Sequence, residues 1–240
     1  MRKRDPNAVI DAFQSGVAAS RSDFLTLLGA AKALPIALRR RLAQDSFFSL
    51  AVAFEVFRSD WHIAAISRDL TALATSLDSE VTGVLQARKH VRGAKAFVRV
   101  DLPRHLSLEQ ARGLIDPEGS NHTFRYPNGE GGIVERWKAA AERELADPYR
   151  SAVLALPARE LKVIQLVEAL RHCHAHASSR ADVRLASALS ALDPGDLLDL
   201  GSSRVTHSRL GLYLLAPVNG EPRVSMIHAR LDRIVEGMRV

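Results

Sequence analysis

Between Glu160 and Arg180 the chain reads ELKVIQLVEALRHCHAHASSR, an apolar helical pattern that runs into Arg171, His172, Cys173, His174 and His176. No other stretch gathers so many groups that titrate near neutrality or hold a phosphate. Imidazole both takes and gives a proton near pH 7. Guanidinium offers a permanent, forked charge that matches phosphate oxygens. Together they suit cleavage of RNA without a metal, because RNA carries its own 2′-hydroxyl nucleophile. On a helix, His172 and His176 are four apart and share a face, and Arg171 neighbours His174. Arg171 and His176 are five apart, roughly 140° around the axis. They converge on one phosphate only if the helix ends or tightens near Ser178 and Ser179, or if two copies face each other.

Other chemistries compete for the same residues. His172 and His176, with Cys173 or His174, could hold zinc, since histidines at i and i+4 suit one metal. The stretch from Arg171 to His176 offers no carboxylate, and Cys173 points away from His172, so the expected metal set is none and no cofactor is called for. Cys173 reads as a small packing residue rather than a nucleophile. Upstream, Asn121-His122-Thr-Phe-Arg125-Tyr126 falls in a turn-rich loop and could contact RNA through Asn121, His122 and Arg125, with a base on Phe124 or Tyr126; the plainer reading is a loop anchored by its aromatics.

Arg171-His172-Cys173-His174-Ala175-His176 resembles the active-site signature of the HEPN (higher eukaryotes and prokaryotes nucleotide-binding) family, bacterial HEPN-like endoribonuclease group. That signature is an arginine followed by a polar residue, with a histidine a few residues on. The long pattern containing Phe57-Arg-Ser-Asp-Trp61 is similar to the first long helix of one bacterial group. The resemblance implies an all-α bundle that is often a homodimer, with Arg171 as phosphate holder, His172 as polar helper and His176 as catalytic histidine; His174, a neighbour of Arg171 outside the signature, is a candidate substrate contact. It also implies an endoribonuclease acting on single-stranded RNA, a toxin or defence effector, with an antitoxin or another regulatory protein as partner. The alternative is a non-catalytic module that binds a nucleotide, a nucleic acid or a protein. The chain departs from the pattern at His172, where asparagine is commoner, and in the extra His174. Ser178 stands where a nucleotide-accepting tyrosine would be, so that regulated variant is not supported.

The elements that must position this cluster are mostly helical. Alanine and leucine dominate, and aromatics are 5% of the 240 residues, a composition that favours helix. Apolar periodicity predicts helices over 7–30, with a break at Ser20–Asp23, over 36–77, over 79–92, over 108–115, over 133–146 and over 181–192. Residues 96–100 could be extended, and an irregular loop covers about 101–132. At the C-terminus, Asn219-Gly220 between the apolar runs 210–216 and 223–227 predicts a β-hairpin, followed by a closing helix. The expected fold is therefore a mostly α helical bundle of HEPN type with a long core helix and a small C-terminal β-hairpin plus helix. The expected domains are 1–200 and a hairpin-helix extension at 201–240.

A net charge of +6 and a pI near 9.9 suit an acidic partner such as RNA. One cysteine excludes an internal disulfide framework. No apolar core follows the charged start Met-Arg-Lys-Arg, and the longest apolar run, Phe47 to Phe57, contains Glu55 and is too short to span a bilayer. A cytoplasmic protein without a membrane partner is expected.

Overall fold

The computed structural model describes residues 5–87, 102, 106–115, 132–199 and 205–240. It is mostly helical, with one two-stranded antiparallel sheet near the C-terminus. The helices are α1 (Pro6–Ala30), α2 (Ile36–Arg68), α3 (Thr71–Ala87), α4 (Leu108–Ile115), α5 (Ile133–Glu144), α6 (Tyr149–Leu154), α7 (Ala158–His176), α8 (Ser179–Ser190), α9 (Leu210–Leu215) and α10 (Arg223–Glu236). Strands β1 (Pro217–Val218) and β2 (Glu221–Pro222) lie between α9 and α10. Among the described residues no helix is long and apolar enough to cross a membrane.

Several boundaries differ from the periodicity. The expected break at Ser20–Asp23 is absent, and α1 runs through it. There Phe24 is buried, and Arg21 donates to Ser225 Oγ at 2.7 Å and to Glu221 Oε2 at 2.6 Å, which holds the turn helical. The expected helices over 36–77 and 79–92 are instead α2 and α3, with the break at Asp69–Leu70 and α3 running through residue 78. Asp69 Oδ1 accepts from Thr71 N at 2.9 Å and from Thr71 Oγ1 at 2.7 Å, so its carboxylate caps a new helix instead of continuing the old one. The apolar run 210–215 is α9 rather than a strand. The hairpin shrinks to two residues per strand around Asn219 (φ 52°) and Gly220 (φ 85°), both in the left-handed region that a two-residue turn needs. The expected extended piece at 96–100 and most of the loop at 101–132 lie outside the described residues.

The contacts group the chain into two compact units, Met1–Val9 with Ser59–Ala155 and Val240, and Ile10–Arg58 with Leu156–Arg239. The C-terminal hairpin and α10 belong to the second group, together with α7 and α8. In the first unit Trp61, Ile63, Ile66, Trp137, Ala140, Ala141 and Val153 are buried. Within it His62 Nε2 and Glu144 Oε2 are 2.9 Å apart and both side chains are buried. Burial alone would push the Glu144 carboxyl up. Hydrogen bonds and charge from His62, then Arg143, outweigh it and hold the group below its ordinary value.

The second unit holds the cluster. Phe13 packs on Phe57 at 4.8 Å and on Phe54 at 5.9 Å between ring centroids. On α7 the buried side carries Val163, Ile164, Leu166, Val167, Leu170 and Cys173. On α10 it carries Val224, Ile227, Leu231, Ile234 and Val235. Each such side chain removed from water contributes roughly 1.5–3 kcal/mol. Gly211 in α9 allows close packing, since a Cβ there would lie 2.8 Å from Arg40 Cβ and 3.1 Å from the Arg40 carbonyl oxygen.

Candidate functional site

The cluster occupies the last turns of α7. Ala177 ends that helix in the left-handed conformation (φ 41°), and its N–H donates to the Cys173 carbonyl. Ser178 then caps α8 by accepting from Ala181 N at 3.3 Å. A single residue therefore separates the end of one helix from the cap of the next. This makes α7 and α8 a tight helical hairpin and answers the requirement that the helix stop near Ser178.

A buried contact sets the register of the hairpin. Cys173 Sγ donates to Asp182 Oδ1 at 3.5 Å. The same carboxylate accepts from the His207 main-chain N–H at 2.7 Å and lies 3.0 Å from His207 Nδ1. Burial would raise the Asp182 pKa, but these donors, the His207 main chain first, hold it below its ordinary value. Cys173 responds in the opposite sense. Burial, then the Asp182 hydrogen bond and charge, push its thiol up to about 12. A thiol so placed does not supply a thiolate near neutral pH.

The four other cluster residues are at least partly open to solvent. His172 and His176 meet in a tilted contact across one turn, with ring centroids 4.3 Å apart and planes inclined at 52°. Burial lowers the pKa of His172 first. The positive charges of His176, Arg184, Arg180 and Arg171 then lower it further. His174 turns the other way and rests against Phe48, with centroids 5.1 Å apart. Arg171 Nη2 pairs with Glu55 Oε2 at 2.9 Å. Its Nε, covered from solvent, has no partner among the described residues.

The structure thus brings His172 and His176 together and sets Arg171 close enough for its charge to act on His172. It separates His174 from that pair. Asn121, His122 and Arg125 lie outside the described residues. Since Cys173 faces Asp182 and His174 faces Phe48, neither joins the two histidines as a third ligand. Among the described residues no group of three or more histidine, cysteine or carboxylate side chains is placed to hold a metal.

Several contributors escaped the sequence reading. Glu55 is one, because nothing in its spacing reveals a partner on α7. Asp182 and His207 are others, 25 residues apart. Arg180 and Arg184 are the most relevant to an anion, and their i, i+4 spacing just after the histidines was the available signal.

No protein-family model matches the chain, and comparisons with curated proteins and with solved structures return no match.

Proposed function

We propose that the chain is a metal-independent endoribonuclease of HEPN type that cleaves single-stranded RNA as a homodimer, in the role of a toxin or defence effector. The observation that supports it is the solvent-accessible His172–His176 pair at the end of α7, in a field of arginine charge. Neither histidine has a carboxylate partner among the described residues. The mechanism is internal transfer. His172, kept neutral by its surroundings, takes the proton of the 2′-hydroxyl as its oxygen attacks the adjacent phosphorus. Arg171 stabilises the negative charge that builds on the phosphoryl oxygens. His176 of a second copy, on the opposite side of the phosphorus, protonates the departing 5′-oxygen, leaving a 2′,3′-cyclic phosphate on one product and a 5′-hydroxyl on the other. A second copy would present its own Arg171 and His176 across a two-fold axis.

One observation favours the non-catalytic alternative, a module that binds nucleotide, nucleic acid or a protein partner. Imidazoles 4.3 Å apart leave no room for a phosphate between them, and Arg171 is engaged by Glu55. Under that reading the same cationic surface binds without cutting. Incubation of a single-stranded RNA with wild-type protein, His176→Ala and Arg171→Ala in the presence of EDTA decides between the two. Cleavage by the wild type alone supports the nuclease. Binding without cleavage that persists in His176→Ala supports the module.

A further inference from the structure

The Cys173–Asp182 hydrogen bond fixes which residues of α7 and α8 lie level with each other. In an antiparallel hairpin the sum of level positions is constant. The pair 173 and 182 therefore sets His172 level with Val183 and His176 level with Ser179, so Arg184 and Arg180 each lie one residue, about 1.5 Å along the axis, from the level of a histidine. The electrostatic influence of both arginines on His172 agrees with this placement. Arg180 and Arg184 are one turn apart, about 6 Å along the axis, and both are exposed. Neither forms an ion pair among the described residues, whereas Arg171 on α7 is bound to Glu55. Beside them on the same exposed face is Val183, one turn from Arg180, an aliphatic side chain left 62% exposed, with exposed Ser187 one turn beyond Arg184.

We propose that Arg180 and Arg184 form the primary phosphate-binding strip of this surface, taking successive phosphates of a single-stranded RNA that passes along α8 beside His172 and His176. The inference rests on the RNA-directed reading of the site but not on cleavage. Guanidiniums with no ion-pair partner among the described residues hold no carboxylate there that a phosphate must displace, so they gain more from an incoming anion than Arg171 does. The exposed Val183 gives a base or ribose an apolar surface beside the two charges. Arg171 then acts later, at the reacting phosphate, once contact with the strand competes with Glu55.

The experiment uses the full chain and a short 2′-O-methyl oligoribonucleotide, which cannot undergo 2′-hydroxyl attack, so binding is read without cleavage. Dissociation constants are measured by fluorescence anisotropy over a range of salt. Each phosphate contact on a single strand contributes about 0.7 to the slope of log affinity against log salt. Arg180→Ala/Arg184→Ala is expected to weaken binding roughly tenfold at low salt and to reduce the slope by about 1.4. Arg180→Lys/Arg184→Lys is expected to keep most of the slope. Arg159→Ala/Arg233→Ala, which removes equal charge from other exposed positions, is expected to change the slope little. An unchanged slope in the first variant, an equal loss in the third, or no binding by wild type overturns the inference. If the wild type binds through these arginines yet leaves ordinary RNA intact, the cleavage reading fails and the strip stands.

Discussion

Arg171 Nη2 lies 2.9 Å from Glu55 Oε2, so the guanidinium best placed by its motif to hold a phosphate already holds a carboxylate. Both side chains are about 40–47% exposed, and a pair of this kind is worth up to about 1 kcal/mol. That is small enough for an RNA phosphate to displace, and large enough to tune affinity. Glu55→Gln is expected to tighten binding of the uncleavable strand by up to about fivefold, with little effect on thermal stability. Weaker or unaltered binding in this variant would show that Glu55 does not restrain Arg171.

The environment of His172 gives a prediction about pH. Burial and the charges of His176, Arg184, Arg180 and Arg171 hold its pKa below the ordinary 6.5. A base must be neutral to act, so a lowered pKa keeps it competent to more acid pH. The acid limb of kcat/KM against pH is expected below 6.5, and Arg184→Ala is expected to move it upward by removing one of the charges. Titration of the His172 ring by NMR checks the same shift without relying on activity. A midpoint at or above 6.5 would contradict this arrangement of charges.

Cys173 is expected to be inert. Its thiol is buried against Asp182, with its pKa pushed up to about 12. Native protein is expected to resist alkylation by iodoacetamide at pH 8, and denatured protein to react with one equivalent. Cys173→Ser is expected to leave RNA binding intact while disturbing the hairpin register modestly. Fast labelling of the native thiol would show that the contact between α7 and α8 is not formed as described.

The helical character of the chain was legible because it rests on local patterns. The bounds of α4 match the apolar spacing, and α7 carries the cluster on its last turns as expected. What periodicity missed was decided by single polar groups or by distant partners. Asp69 ends one helix and caps another although the apolar spacing continues past it, while Ser20–Asp23 stays helical because Arg21 finds Glu221 two hundred residues away. The 210–215 run has no period that separates a buried strand from a buried helix turn. At the site, the shared face of His172 and His176 followed from their spacing. The orientation of His174 toward Phe48, the engagement of Arg171 by Glu55 and the level placement of Arg180 and Arg184 depend on which helices pack together. Those pairings are tertiary and leave no mark in a single sequence.

The buried His62–Glu144 pair gives a prediction about stability. Glu144 has its folded-state pKa held below the ordinary 4.5. Its contribution is therefore fully present above that value and is lost as pH falls through the lower folded value. Removing His62 leaves a buried carboxylate with less compensation, at a cost of about 3 kcal/mol. His62→Ala is expected to lower Tm at pH 7 and to flatten the loss of Tm between pH 5 and pH 3, as checked by circular dichroism melts. Equal melting curves for wild type and variant would show that the pair does not stabilise the fold.

Under the proposed function, the imidazoles on α7, with Arg171 beside them, cut RNA without a metal. The most direct test of that function is the rate of cleavage of a fluorescently labelled single-stranded RNA by purified protein in excess EDTA, for wild type and His176→Ala. Cleavage by the wild type to a 2′,3′-cyclic phosphate end, reduced at least about 100-fold in the variant while its circular dichroism spectrum is unchanged, is the predicted result. Equal rates in the two proteins, or no cleavage by the wild type, would contradict it.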